Sequence, residues 1–379
     1  MASRSGKPVR VLLIAPSPDI LGGQSVQAGR ILRNLEREPL VEATFLPMNP
    51  RLGPFQFLKK IKFVRTAATV LTFVARLLWN APRHDIIHVF AASYYSFVWA
   101  PAPAILVARL FGKKCILNYR DGQAEDHMAN WPIANRLVRM ADVVVAPSGY
   151  LVDVFKKFGI EARAIYNIID PSPFHYRERD KPRPIFLHNR ILEPLYNIQC
   201  TLRAFKRILE RYPEATLTLA HDGPSRGELE DYARSLGLEN TTFIGKVPHA
   251  EIANLYDSVD IYLTNPDFDC MPGSLLECYS SGLPIIATHA GGIPYIAFDE
   301  KTALLIPKDD DKAMAERAFR LLEEEGLAVK LARAGRAELD RYSWDKTVRD
   351  LWLGLYAELT GRPEVAEAPR SECRERGWR

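Results

Sequence analysis

The sequence predicts an α/β protein made of two similar domains, each a parallel sheet covered by helices. Short β-branched runs alternate with helix-period segments almost throughout, the pattern left by strands buried between helices. A Pro-rich, charged patch (Asp170, Pro171, Pro173 and Arg177 to Pro184) divides that alternation into comparable halves and has the composition of a linker. The 379 residues also exceed one ordinary core, at roughly 150 residues per domain. The expected division is residues 1–180, residues 181–360, and a polar, disordered tail at 361–379, with the last helix free to pack back on the first domain.

Six strands are expected in the first half: Val9 to Ala15, Val41 to Leu46, Asp85 to Phe90, Lys114 to Tyr119, Val143 to Ala146 and Ala162 to Tyr166. Six follow in the second: Ile185 to His188, Thr216 to Ala220, Thr241 to Ile244, Ile261 to Thr264, Pro284 to Thr288 and Ala303 to Ile306. Helices close the chain over Asp310 to Glu325, Leu327 to Tyr342 and Trp344 to Leu359. Val89 to Ala108 is free of charge over 20 residues, about a bilayer's thickness. Pro101 and Pro103 and the βαβ rhythm make it a strand end followed by a buried helix rather than a membrane span.

Hydrophobic residues form 47% and charged residues 25% of the chain, which excludes a disordered or fibrous protein. Cys115, Cys200, Cys270, Cys278 and Cys373 have neither CxxC nor paired-finger spacing, so no disulfide framework or zinc site is indicated and a reducing cytoplasm fits. The first apolar run ends at Pro16 without a cleavage pattern and is poor signal-peptide material. Net charge is +4. Residues 1–180 hold 24 Lys/Arg against 14 Asp/Glu, and the remainder 26 against 32, so the first half is suited to an anionic partner such as membrane lipid or a phosphorylated substrate. Phe57 to Trp79 has apolar residues at helical spacing behind a basic start of Lys59, Lys60, Lys62 and Arg65. It reads as a helix covering the sheet, as an amphipathic element resting on anionic lipid, or as both, with one face on the sheet and the basic end outward.

In open parallel sheets ligands bind beyond the carboxyl ends of the strands. The loop after the first strand carries Gly22-Gly23 before a helix, either a phosphate-approaching helix start or an ordinary tight turn. There is no GxGxxG, which argues against a dinucleotide dehydrogenase. After Ile261 to Thr264 the chain reads Asp269-Cys-Met271-Pro272-Gly273-Ser274-Leu-Leu-Glu277. Here two carboxylates bracket a turn that opens a helix, and such a helix start suits a pyrophosphate. Ser274-x-x-Glu277 is equally a capping box, in which both side chains would serve only the helix end. Gly291-Gly292-Ile293-Pro294 is a further glycine-rich turn after a strand.

From Pro147 to Tyr356 the chain resembles the retaining glycosyltransferases of family 4, which have the GT-B fold of two Rossmann-like domains facing a cleft. The resemblance rests on Pro147-Ser148, Asn167-Ile-Ile-Asp170, Asp222-Gly223-Pro224, Phe243-Ile244-Gly245-Lys246-Val247, Leu255-Tyr256, Asp269-x7-Glu277, Gly282-Leu-Pro284, Gly291-Gly292-Ile-Pro294, Ser343-Trp344 and Leu355-Tyr356. Gly22-Gly23 and Asp85-Ile-Ile-His88 extend it over nearly the whole chain. Four features depart from the family pattern. Asp269 replaces a glutamate, the lysine usual after the arginine is missing from Arg190 to Asn197, His88-Val89-Phe90 replaces His-x-His, and His221-Asp222-Gly223 replaces Gly-Asp-Gly.

What the resemblance implies is a donor nucleotide-sugar bound without metal or other cofactor. Glu277 would hold the ribose and Asp269 the transferred sugar, while Met271, Pro272, Gly273 and Ser274 would meet sugar and phosphate. Arg190 would neutralise the diphosphate, Gly22 and Gly23 would contact donor phosphate, and Ile244 to Val247 would lie near the base. His88 would stand in the active site, and Arg120 is a weaker acceptor-side candidate that topology alone directs there. The expected activity is transfer of a hexose from a UDP- or GDP-sugar to a hydroxyl acceptor, either lipid-linked or a cell-envelope polysaccharide precursor. Nucleic acid is not an expected partner; an anionic membrane surface is, at the inner face of the membrane. A GT-B epimerase or hydrolase of the sugar nucleotide, and a non-catalytic sugar-nucleotide-binding protein, are the alternatives.

Overall fold

The computed structural model describes residues 6–17, 22–50, 62–248 and 250–369, with the side chains of 62–65 excepted. The chain divides into two compact units, Met1–Ile168 with Trp344–Arg379, and Ile169–Ser343. Each is built on a six-stranded parallel sheet, so the protein has two Rossmann-like α/β domains. The sequence boundary drawn at 180 falls inside the second unit, which begins at Ile169.

In the first unit the order is β1 (Val9–Ala15), α1 (Gly23–Leu35), β2 (Val41–Pro47), α2 (Lys62–Asn80), β3 (Ile86–Ala91), α3 (Tyr95–Trp99), α4 (Pro101–Leu110), β4 (Lys114–Tyr119), α5 (Ala124–Asn130), α6 (Pro132–Val138), β5 (Val143–Ala146), α7 (Gly149–Lys157) and β6 (Ala162–Ala164). The second unit runs β7 (Ile185–His188), α8 (Ile198–Arg211), β8 (Thr216–Ala220), α9 (Arg226–Ser235), β9 (Thr241–Gly245), α10 (Ile252–Ser258), β10 (Ile261–Thr264), α11 (Gly273–Ser281), β11 (Ile285–Thr288), β12 (Leu304–Ile306), α12 (Asp311–Glu323) and α13 (Leu327–Glu338). The chain then returns to the first unit through a π-helical turn, Trp344–Val348, and α14 (Arg349–Thr360). The charge-free stretch after His88 forms the end of β3 and the helices α3 and α4. Among the described residues no helix is long and apolar enough to cross a membrane.

The first sheet is ordered β2-β1-β3-β4-β5-β6 and the second β12-β11-β10-β7-β8-β9. Strand order therefore reverses between β1 and β3 in one and between β7 and β10 in the other. Such reversals leave a crevice at the carboxyl ends of the two strands, because the loops there diverge to opposite faces of the sheet.

The first unit's core joins Val9, Val11, Leu13, Phe90 and Ile116 of the sheet to Trp344, Trp352, Leu353 and Tyr356 of the returning segment. Buried Arg349 grips buried Glu38 through two bonds, Nε to Oε1 at 2.9 Å and Nη2 to Oε2 at 2.8 Å. The paired fork is the strong geometry for this ion pair. The order does not stop at 360 as the sequence suggested: a 3₁₀ turn at Pro363–Val365 follows, Val365 is buried, and the Ala368 carbonyl accepts from Arg349 at 2.8 Å. The rest of the expected tail, 370–379, lies outside the described residues.

The segment expected to be a linker is packed instead. Arg179 is 2% exposed and donates to the carbonyls of Val259, Tyr256 and Ser281 at 2.8–2.9 Å. Arg177 and Arg183 both bind the carboxylate of buried Asp260. Two arginines of a charged, Pro-rich patch thus satisfy carbonyls at the end of α10, just before β10 and at the end of α11, while the third joins Arg177 on Asp260, a use that composition does not reveal.

Candidate active site

The second sheet's reversal point brings together side chains from the ends of β7 and β10. Arg190, two residues past β7, forms an ion pair with Asp269, whose other oxygen, Oδ1, accepts from the amide of Met271 at 3.0 Å. The same guanidinium donates to Ser274 Oγ at 3.2 Å and lies over the ring of Tyr196 at 4.6 Å. Burial works against its charge, but Asp269 more than restores it, so its pKa is raised. Arg190 is thereby fixed as a permanent cation at the mouth of the crevice.

Ser274 lies in the first turn of α11, whose N-cap position is Pro272 with no side-chain cap. The first N–H groups of a helix lack intrahelical partners and carry its positive end, so Gly273 and Ser274 present an anion-accepting turn beside Arg190. Met271 and Pro272 are buried and Gly273 is half-exposed. The N-cap position falls at Pro272 rather than at Ser274. Ser274 accepts from Arg190, and Glu277, one turn on and partly exposed, accepts from Tyr256 Oη at 2.9 Å.

Behind Glu277 the hydrogen bonds run in one direction. Tyr262 Oη donates to Asn189 Oδ1 at 2.7 Å, Asn189 Nδ2 donates to Tyr256 Oη at 2.8 Å, and Tyr256 donates to Glu277 Oε2. Both tyrosines are fully buried. Burial and then the charge of Glu277 hold Tyr256 protonated, its pKa well above the usual value. Tyr262 also lies within electrostatic reach of Arg190 and Glu277, so the two carboxylates and the arginine share one framework.

Two glycines explain how the loops come so close. A Cβ on Gly291 would stand 2.4 Å from the Asp269 carbonyl, which accepts from Gly292 N at 2.7 Å. A Cβ on Gly223 would stand 2.4 Å from the Leu192 carbonyl, in a loop where Leu192 N bonds Asp222 O and Ser225 N bonds Leu192 O. A real side chain would force apart the loops that carry Asp269 and Arg190. Beneath them, buried His188 contacts Thr201 Oγ1 at 3.2 Å, Thr201 donates to Asn265 Oδ1 at 2.6 Å, and Asn265 donates to Asn197 O at 2.8 Å. Ile244 is exposed and Val247 half-exposed at the carboxyl end of β9, on the same sheet edge, as all six strands are parallel.

In the first unit Gly22 and Gly23 are exposed at the start of α1, while the loop residues 18–21 lie outside the described residues. His88 does not occupy an active-site position. It is fully buried, and Asn118 holds its Nε2 at 3.0 Å and Tyr356 Oη its Nδ1 at 3.0 Å. Arg120 Nε donates to Asn118 Oδ1 at 2.9 Å. That bond orients the amide so that Asn118 donates to His88 Nε2, which leaves the ring's proton on Nδ1 for Tyr356. Burial, and then the charge of Arg120, lower the His88 pKa to about 3. A neutral ring with both nitrogens engaged inside a core cannot serve a sugar. Arg120 ends β4 as expected but is itself 7% exposed, bonded to Asn118 and Asn167 and placed over Phe90 at 4.8 Å.

Tyr256, Asn189, Tyr262 and Tyr196 were not singled out as site residues from the sequence. Tyr256 stands in the Leu255-Tyr256 pair, and Asn189 precedes Arg190, but nothing local signals a chain of hydrogen bonds that closes across 73 residues.

Residues 9–173 match the family model described as Glycosyltransferase Family 4, and residues 174–338 that described as Glycosyl transferases group 1. The two adjoin without a gap and take in both sheets. The chain belongs to the GT-B glycosyltransferases. Among curated relatives of this GT-B chain, sulfoquinovosyl transferase SQD2 of Arabidopsis thaliana is 27% identical over 228 residues, 56% of this chain and 44% of that protein. D-inositol 3-phosphate glycosyltransferase of Corynebacterium urealyticum is 28% identical over 187 residues, 47% of this chain and 44% of that protein. The matches thus span under half the length of these relatives. The Anabaena protein Alr3699/HepE, solved in complex with UDP and glucose, superposes with a TM-score of 0.71 at 17% identity, covering 92% of this chain and 99% of that one. At that identity the likeness concerns the GT-B fold.

Proposed function

We propose that the protein is a retaining hexosyltransferase that moves a hexose from a UDP- or GDP-sugar to a hydroxyl acceptor. The observation that carries the reading is the cluster of Arg190, Asp269 and the first turn of α11 at the reversal point of the second sheet. The reaction breaks the bond between the anomeric carbon and the diphosphate oxygen, and negative charge develops on that oxygen. Arg190 and the amides of Gly273 and Ser274 are preorganised donors for it, and such donors supply much of the rate where water is excluded. In a front-face route the acceptor oxygen bonds to the anomeric carbon on the side the diphosphate leaves, and the acceptor's proton passes to the departing oxygen. No protein base is then required, in keeping with the withdrawal of His88 into the core.

Glu277, aimed by Tyr256, is assigned to the ribose hydroxyls; a carboxylate there accepts charge-assisted hydrogen bonds. Asp269 takes the part of Arg190's counter-ion and of the clasp on the Met271 turn, so contact with the sugar falls chiefly to the turn's backbone. Similarity to the sulfoquinovosyl and inositol-phosphate enzymes, and to a fold solved with UDP and glucose, supports a sugar-nucleotide donor. Nothing in the proposed chemistry calls for a metal. The test is a panel of UDP- and GDP-sugars scored for thermal stabilisation, then incubation of the stabilising donor with lipid-linked and soluble acceptors. A product with the donor's anomeric configuration supports the proposal. Donor conversion without transfer would favour an epimerase or hydrolase, and binding without turnover a non-catalytic protein.

A further inference from the structure

The first unit carries exposed apolar side chains that its own fold leaves uncovered. Leu71, Trp79, Tyr95, Leu110 and Ile133 remain 69–72% exposed. They are joined by Leu78, Val98, Trp99, Leu106 and Phe111, so that most of the large exposed hydrophobic residues fall within α2 to α6. The carriers adjoin one another, since α4 packs beside α2, α3 and α6.

α2 is the most telling element. Phe73 and Leu77 turn inward and are fully buried, while Ala67, Leu71, Ala75 and Leu78 recur along an exposed face. A helix that is apolar on both its inner and outer faces is ordinarily covered on both. Single exposed apolar residues are unremarkable, but a run of them across adjoining helices marks an interaction surface.

Charge selects the occupant. Residues 66–80 of α2, together with α3, α4 and α6, carry three arginines, Arg76, Arg109 and Arg136, and no acid. Arg76 and Arg109 stand exposed on α2 and α4 among the apolar residues. A second copy of the chain docking isologously would bring this cationic segment against itself. Tryptophan, tyrosine and long aliphatic side chains among cations are the composition that settles at the headgroup level of an anionic bilayer, and among the described residues no helix is fit to cross one. We infer that the face formed by α2, α3, α4 and α6 is a peripheral docking surface for an anionic lipid bilayer. The basic cluster read from the sequence, Lys59, Lys60, Lys62 and Arg65, adjoins this face along the chain. Lys59 and Lys60 lie outside the described residues, as do the side chains of Lys62 and Arg65, and the inference does not rest on them.

The test uses the full chain and vesicles of phosphatidylcholine alone or of phosphatidylcholine and phosphatidylglycerol in equal parts. The unmodified protein should sediment with the anionic vesicles about tenfold better than with the neutral ones, and less so at high salt. A Leu71→Gln/Trp79→Gln/Leu110→Gln variant should lose about tenfold or more of that binding, while Leu351→Gln, an exposed apolar position on α14, should not. Bromine-labelled lipid should quench tryptophan emission of the unmodified protein, and Trp79→Phe should remove part of the quenching. That readout survives even if the triple variant folds poorly. Absence of sedimentation, equal binding by the triple variant, or self-association that the triple variant abolishes would each overturn the assignment. Thermal stabilisation by donor, which reads the second unit, is measured on the same samples, so failure of the lipid surface is distinguishable from failure of the proposed activity.

Discussion

Arg190, just past β7, cancels Asp269, and in the proposed function it would also meet the donor diphosphate. Arg190→Ala should therefore lower transfer by about 10²-fold or more, measured as kcat with saturating donor. Asp269→Asn keeps an acceptor for the Met271 amide but loosens the arginine. Combined with Arg190→Ala it should cost little more than the arginine change alone, since members of one network are not additive. Full additivity would show that the two act separately. In the same proposed function Tyr256 would be a positioning residue, through its bond to Glu277. Tyr256→Phe should raise the donor KM or Kd by roughly 5- to 30-fold, as for loss of a hydrogen bond to a charged group worth about 1–2 kcal/mol, with a smaller effect on kcat. Glu277→Gln should weaken donor binding more than it weakens the fold. Because the amide still accepts from Tyr256, a matched loss of melting temperature in both variants would mean that the chain of bonds serves stability alone.

At the scale of elements, α14 is as much part of the first unit's core as any strand. Trp352 is fully buried and packs at a tilt against His88, ring centroids 4.6 Å apart, so Trp352→Ala should destabilise that unit by about 3–5 kcal/mol, seen in its chemical denaturation midpoint. The strands and closing helices were legible because β-branched runs bounded by turn residues need no tertiary information. The glycine-rich turns after them were legible too, for a turn's chemistry is local. Other features were not. The chain of Arg120, Asn118, His88 and Tyr356 joins β4 and β3 to a helix 268 residues away, and a histidine at a strand end reads identically whether it faces solvent or a tryptophan. The segment of Arg177, Arg179 and Arg183 read as a linker because charge and proline imply exposure, until Asp260 and open carbonyls supply partners that only the folded chain reveals.

For the molecule as a whole, acidity should act through buried neutral histidines, His88 and His127 in the first unit and His188 in the second. His188, like His88, has its pKa lowered to about 3, by burial first and then by Arg190. Both folded-state values lie below the ordinary 6.5, so the unfolded chain takes up the protons first. Stability should fall as pH drops below about 6.5, by up to about 1.4 kcal/mol per pH unit for each histidine. For Asp260, burial raises the pKa, but the bonds from Arg183 and Arg177 overcome it and hold the group at about 2. Its contribution is full above the ordinary value of 3.8 and is lost as pH falls toward 2. Melting curves between about pH 7.5 and pH 4.5 should thus show a steady decline; a flat profile would contradict neutral burial of the histidines. The returning segment bears on the protein's birth as well. The residues that complete the first core, Trp344 to Val365, leave the ribosome after those of the entire second unit, at about 5–20 residues per second. For the better part of that interval the earliest strands wait with Val9, Leu13 and Phe90 short of their partners. The second unit, contiguous in sequence, can finish first, and the newborn chain is most exposed to chaperones and proteases at its older end.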